Sequence, residues 1–510
     1  MPSSGGINDE LIVQGGREGT LDEKGIDQAC ARILDVIFRY AENREEEAVF
    51  DHEHDHRLAA ELEAECMVLL KNEGKILPLN PKSKIAFIGK YAETPRYQGG
   101  GSSHINSWKV ESALEAVKGI ADVIFARGFA DERDEVQEEL QAEAIKAAVE
   151  VDVAVIFAGL PDNFESEGYD RKHMNLPDCQ NTLIMRILDV QKNVIVVLHN
   201  GSPVLMPWKD QTRGILEAYL GGEAVGKAVV DVLFGRVNPS GRLAETFPER
   251  LEDTPCYLTY GKGKEKAIYQ EGVFVGYRYY TSRNMKAAFP FGYGLSYTDF
   301  SYSGLTADRT KIKDTELLTV HVNVKNTGSM AGKEVVQFYV APPEGNTVRP
   351  LRELRGFEKV ALESGEEKTV TFCLDMRAFA YWNTELHDWY VEDGDYRILI
   401  GRNAEEMVLE TAVAVYGTKS VPKVYSLNSC LGDLMRDPKA QSVVEPFVQG
   451  MAENSGSAQA EGSQGEETAG VVNAEMMAAM MEDMPLRQLL SFMPGMKREV
   501  LEQIEEALNA

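Results

Sequence analysis

The sequence is short of cysteine, tryptophan and positive charge, and it has no long apolar run. Its six cysteines (Cys30, Cys66, Cys179, Cys256, Cys373 and Cys430) lie far apart with no CxxC pair, which reads as free thiols in a reducing cytoplasm. No apolar stretch reaches the roughly 20 residues of a membrane span. Met1 to Gly6 has neither a basic nor an apolar region, so no secretory signal is read and a cytoplasmic location is expected. Lys and Arg number 53 against 81 Asp and Glu, a formal net charge of −28. That balance argues against nucleic-acid phosphates and anionic membranes as partners. It is compatible with neutral ligands such as sugars.

What is present is enough apolar material for several cores, since 44% of 510 residues are hydrophobic. After Leu21, the residues Ile26, Ala29, Ile33, Val36 and Ile37 recur at helical spacing. A second helix is expected from about Arg57 to Lys71, with Leu58, Leu62, Cys66 and Leu69 on one side and Asn72-Glu73-Gly74 as its C-cap. From Ile85 onward, short Val/Ile-rich runs at 85–89, 123–125, 153–158, 194–198 and 215–219 alternate with helical patterns at 135–148, 179–191 and 224–234. Continuous apolar runs separated by helices predict an α/β domain with a largely parallel sheet covered on both faces. After Asp308 the helical patterns stop. Leu318, Val320, Val322 and Val324 alternate with polar residues, and runs at 335–340, 368–374, 389–390 and 396–400 follow, as in a β-sandwich of the immunoglobulin or fibronectin type III kind. Residues 452–471 are mostly Gly, Ser, Gln and Glu, with hardly a large apolar side chain, and predict a disordered linker. The methionines 476, 477, 480, 481 and 484 suggest an adaptable packing face, and a helix is expected over 497–508.

The segment Asn163-Phe164-Glu165-Ser166-Glu167-Gly168-Tyr169-Asp170-Arg171 directly follows the third strand, where parallel sheets gather their ligand sites. Glu165 and Glu167 share a side if the loop is extended. Adjacent carboxylates raise each other's proton affinity, one route to a general acid. On composition alone, the loop reads as solvated acidic surface. Gln98-Gly99-Gly100-Gly101-Ser102-Ser103 follows another strand but has neither a P-loop Lys-Ser/Thr nor GxGxxG spacing, so nucleotide binding is not expected. Gly221-Gly222-Glu223 is read as close backbone packing. Asp51-His52-Glu53-His54-Asp55-His56 lacks metal-ligand spacing and is read as a polar linker before a helix. Trp382 and Trp389 are read as core aromatics in preference to sugar-stacking faces.

Glu167-Gly168-Tyr169-Asp170-Arg171, followed by Leu176-Pro177 and Gln180, resembles the acid/base loop of family 3 glycoside hydrolases of the β-glucosidase type. Further blocks resemble the family in order. They are Met67–Gly74 with Leu77-Pro78-Leu79, Asn238–Leu243 with Thr246-Phe247-Pro248, Tyr269–Gly272, Gly276–Tyr280 and Phe291–Thr298. The resemblance implies an end of a barrel with linking helices at 1–74, the family's C-terminal α/β sandwich domain at 75–305 and a fibronectin type III-like domain at 306–417. An extension (418–451), the disordered linker (452–471) and a helical tail (472–510) would follow.

It also implies retaining hydrolysis of β-linked glucosides or oligosaccharides without metal or organic cofactor. Glu167 would be the acid/base and Glu165 its neighbour or contender; Gln98, Gly101 and Ser102 would border the sugar. In the family the nucleophile is an Asp on the barrel in a Ser-Asp-Trp-like setting. No Ser-Asp-Trp occurs here, and the residues before the linking helices are too few for a barrel of about 200–250 residues. The isolated chain is therefore expected to be inactive unless a separate barrel chain supplies the nucleophile. Two other readings stay open: a non-catalytic carbohydrate- or partner-binding module, and one half of a split β-glucosidase.

Overall fold

The computed structural model describes residues 5–345, 347–458, 479, 481–493 and 495–510. The Val/Ile runs become a six-stranded sheet of β1 (Val68–Asn72), β2 (Ile85–Ile88), β3 (Val123–Ala126), β4 (Val153–Gly159), β5 (Val194–His199) and β6 (Gly214–Glu217). Its spatial order is β1-β6-β5-β4-β2-β3. Strands β2 to β6 are parallel, and β1 lies antiparallel on the β6 edge. Every residue of β2, β4, β5 and β6 is buried, as expected of strands covered on both faces.

The helices are α1 (Asp9–Glu18), α2 (Glu23–Glu42), α3 (His52–Cys66), α4 (Ala113–Ala116), α5 (Glu138–Val149), α6 (Asp178–Val190) and α7 (Val225–Leu233). Helices α5 and α6 pack together, while α3 and α4 pack on α7. Strand β2 lies between β3 and β4, so the chain runs outward from β2 to β3 and then crosses back to β4 on the other side. The loops leaving β2 and β4 diverge, which opens a crevice at their carboxyl ends.

The second helix differs from its expected bounds. It ends at Cys66, Met67 turns extended (φ −56°, ψ 136°), and Val68–Asn72 becomes β1. Asn72-Glu73-Gly74 therefore caps no helix; Gly74 lies in a 3₁₀ turn at φ 62°. The buried face of α3 also differs. It holds His56, Ala60, Glu63 and Ala64, while Leu58 and Leu62 are 42% and 59% exposed. Helices α1 and α2 bury no residue, so the apolar stripe of α2 faces outward.

The β-sandwich has a five-stranded sheet, β11-β10-β15-β16-β8, and a three-stranded one, β12-β9-β7. These are β7 (Phe300–Ala307), β8 (Lys311–Lys313), β9 (Leu318–Asn326), β10 (Gly332–Ala341), β11 (Glu353–Leu362), β12 (Glu367–Leu374), β15 (Gly394–Gly401) and β16 (Met407–Tyr416); β13 (Tyr381–Asn383) and β14 (Asp388–Tyr390) form a separate hairpin. Leu318, Val320, Val322 and Val324 are all fully buried, the alternation seen in the sequence. Trp382 is not a core residue. It pairs across the hairpin with Trp389 and is 49% exposed. The sandwich is fastened to the α/β layers by the buried Arg242–Glu334 ion pair at 3.0 Å, with Tyr302 Oη donating to Glu334 at 2.8 Å.

The last residues form a small helical group whose core includes Leu431, Leu434, Val444, Met484, Leu489, Leu501 and Leu508. The helix Pro438–Ala458 covers the first residues of the expected linker, and the rest of 452–471 lies outside the described residues. Met476, Met477 and Met480 also lie outside them, whereas Met484 is buried in this core. The terminal helix spans Arg498–Asn509.

Candidate active site

The two loops that diverge at the crevice meet again above it. The loop after β4 turns at once, as Phe164 and Glu165 both donate their amides to the Pro161 carbonyl. The loop after β2 carries the glycine run, and the two pair in parallel at Gly100 and Ser166. Glu167 N donates to Gly100 O at 3.3 Å, and Ser102 N donates to Glu167 Oε2 at 2.7 Å. Gly101 stands at φ 90°, and a Cβ there would lie 2.6 Å from Glu167 Cβ. Only glycine gives both that backbone and that clearance.

The structure thus brings Gly101, Ser102, Glu165 and Glu167 together and gives the two glutamates different surroundings. Glu165 is half-buried, and its carboxylate accepts from Gly201 N at 2.7 Å and from Ser202 Oγ. Glu167 is exposed, with Ser102 as its partner. Hydrogen bonding from Ser102, hydroxyl first and amide second, holds the Glu167 carboxyl below the usual carboxylate range. Mutual elevation of the two carboxyls does not occur at Glu167, because Glu165 is engaged with the Gly201–Ser202 turn and Glu167 is solvated. Gln98 braces the base of its loop: Nε2 donates to Ile105 O at 3.1 Å and Oε1 accepts from Ile105 N at 2.9 Å.

Arg96 was not singled out in the sequence. It is 9% exposed, donates through Nη2 to Glu165 O at 3.0 Å and forms an ion pair with Asp162. Beside it opens a cleft of about 390 Å³ lined in part by Tyr91, Tyr97, His104 and Asp131. Asp170 Oδ1 accepts from Tyr260 Oη at 2.8 Å, and Arg171 Nη2 donates to Pro203 O at 2.8 Å. Gln180, from the same motif, is buried and accepts from Gly159 N at 2.9 Å, holding the end of β4.

Deeper under the crevice, Glu217 is fully buried, and burial pushes its carboxyl well above the ordinary value; Tyr219 N and Asn200 Nδ2 donate to it at 3.1 Å. Burial also raises Glu245 to about 7. Sequence reading missed both, though a glutamate ending the apolar run Ile215-Leu216 was a legible signal for Glu217.

The remaining motifs resolve into structure. Asp51 caps α3 through His54 N, so the His-rich stretch is the first turn of that helix and not a linker before it. His56 is buried between Glu223 Oε1 (2.8 Å) and Glu111 Oε2 (3.2 Å). Gly221 packs against the Glu63 carboxyl, where a Cβ would fall 2.2 Å from its Cδ. Among the described residues, no group of His, Cys, Asp and Glu is placed to hold a metal ion, and no helix is long and apolar enough to cross a membrane.

Comparison with known proteins places this geometry among relatives. Residues 67–277 match the glycosyl hydrolase family 3 C-terminal domain, and residues 334–404 match a fibronectin type III-like domain. The chain is 47% identical to thermostable beta-glucosidase B of Acetivibrio thermocellus over all of its own length and 67% of that protein's. It is 37% identical to an exo-alpha-(1->6)-L-arabinopyranosidase of Bifidobacterium longum, over 96% of this chain and 64% of the relative. The crystal structure of a GH3 beta-glucosidase from Bifidobacterium adolescentis superposes with a TM-score of 0.79 at 38% identity, over 87% of this chain and 65% of that one. The chain thus spans about two thirds of the length of these relatives.

Proposed function

The chain belongs to glycosyl hydrolase family 3, and from that premise we propose that it serves retaining hydrolysis of β-linked glucosides, with Glu167 as the acid/base. The observation that carries the assignment is the contrast between the two loop carboxylates. Glu165 is taken up by Gly201 and Ser202, whereas Glu167 stands exposed with the Ser102 amide as its partner.

In this reading a second carboxylate, on polypeptide outside these 510 residues, attacks the anomeric carbon from about 5–5.5 Å away while Glu167 protonates the departing oxygen. Glu167 then takes a proton from water to release the glycosyl intermediate. A carboxyl held low by Ser102 suits the base half of that cycle; an apolar aglycone desolvating it would raise its proton affinity for the acid half. The relatives' names include a β-glucosidase and an arabinopyranosidase, so we take the preferred sugar to be set by groups outside the shared portion. Exposed free cysteines at Cys30, Cys66 and Cys373 support the cytoplasmic location also proposed here.

The test is hydrolysis of an aryl β-glucoside by the 510-residue chain alone and together with a barrel segment of the family. We expect turnover only in the second case, with Glu167→Gln lowering it by about 10²–10⁴-fold. Restored activity that survives Glu167→Gln would overturn the acid/base assignment. Heat of cello-oligosaccharide binding without turnover in either case would favour a non-catalytic carbohydrate-binding module.

A further inference from the structure

From the contacts between the loops after β2 and β4, we infer that Arg96 is a positioning residue that sets the register of the Glu167 loop. The two loops touch at three points along their length. One is bare backbone, the Gly100–Ser166 pairing with its Glu167 N to Gly100 O bond, and one is the Ser102 amide on the exposed Glu167 carboxylate. Three successive glycines carry the first of these, and such a run has no conformational preference strong enough to hold a register by itself. The third point is the Arg96 guanidinium, the one buried side chain among them.

Nη1 of the guanidinium pairs with Asp162 and Nη2 donates to Glu165 O, so the planar fork spans the loop from its start to two residues before Glu167. A guanidinium taken this far out of water is stable only where its partners stay in place, which makes the contact mutual. Arg96 holds the loop, and the loop's acceptors hold Arg96. The same strand exit fixes Gln98 on Ile105, so the glycine run is anchored at its base before it reaches Glu167. The functional meaning of this clamp rests on the reading of Glu167 as acid/base; the clamp itself does not.

The test uses the 510-residue chain labelled with ¹³C at glutamate Cδ, with Glu167→Gln identifying the Glu167 signal. In Arg96→Ala the Glu167 carboxyl should titrate higher, toward the ordinary glutamate value, because Ser102 no longer faces it. Amide exchange at Glu167 and Ser102 should rise at least tenfold while the amides of β4 and β5 keep their protection. Millimolar methylguanidinium should reverse both changes. Should Arg96→Ala fail to fold, Asp162→Asn replaces it: that side chain is 62% exposed, and the variant should give the same shifts at smaller size. An unchanged Glu167 titration and unchanged exchange in a folded variant would overturn the inference. If instead the clamp responds as described but Glu167→Gln leaves hydrolysis intact in the assay above, the acid/base reading fails and the clamp stands.

Discussion

Gly101 and Glu167 occupy one another's space: the position where Gly101 would carry a side chain is filled by Glu167 Cβ, 2.6 Å from an ideal Cβ. Gly101→Ala should therefore push the two loops apart as well as strain a backbone held at φ 90°, a cost of about 1–3 kcal/mol. A denaturant midpoint gives the stability loss. The accompanying rise of the Glu167 carboxyl titration shows that the Ser102 contact has gone. A fully stable variant with an unchanged Glu167 signal would mean the loops yield without separating.

Glu165→Gln should affect shape more than chemistry. Its carboxylate accepts from Gly201 N and Ser202 Oγ, and an amide turns one acceptor into a donor, which Ser202 Oγ meets only by reversing its hydroxyl. Loss of about 1–3 kcal/mol is expected, and with a barrel segment present the catalytic loss should be smaller than for Glu167→Gln. The reverse order in kcat would exchange the roles of the two residues.

Glu63 sets a pH dependence of stability. It lies on the buried face of α3 against Gly221, and burial raises its carboxyl to about 8. The folded chain holds this proton more tightly than the unfolded one, so stability falls as pH rises from about 4.5 to about 8. The contribution is at most on the order of 5 kcal/mol. Glu63→Gln should flatten that slope and leave the variant more stable than the parent at pH 8, read from urea midpoints across this range. Parallel curves for the two proteins would place the Glu63 carboxyl at its ordinary value.

Helix α2 presents Ile33, Val36, Ile37 and Phe38 at 52–66% exposure. An apolar face of this kind binds hydrophobic dyes and promotes association. Ile33→Lys combined with Phe38→Lys should reduce dye fluorescence and concentration-dependent light scattering. The crevice is remote from these substitutions in sequence, and exchange at Glu167 should not move. Dye binding unaffected by the double change would show that this stripe is not the accessible apolar surface.

How much of this was legible follows from what each signal depends on. The parallel sheet was readable because strands buried on both faces must be apolar without interruption, and Val153 to Ala158 or Val194 to Leu198 could hardly be anything else. The α3–β1 boundary was misplaced because Leu58, Leu62, Cys66 and Leu69 keep helical spacing across Met67, while Met67–Leu70 is equally an unbroken strand run. Pairing with β6, distant in sequence, decided it. At the site, Glu167 and the glycine run were carried by their motifs. Arg96, Glu217 and Glu245 were not, since burial and partners from other loops give each its character. His56 was hidden for the same reason: its two carboxylates come from positions 111 and 223.

The β1 edge has a consequence for how the chain is made. Val68 pairs with Glu217, so β1 leaves the ribosome about 150 residues before its partner strand. At about 5–20 residues per second this leaves β1 without its partner strand for roughly 7–30 s. Throughout that interval a strand that opens on an apolar run, joined to a helix whose buried face carries ionisable groups, waits in the nascent chain. The last strand of the sheet to close is thus the first to be synthesised.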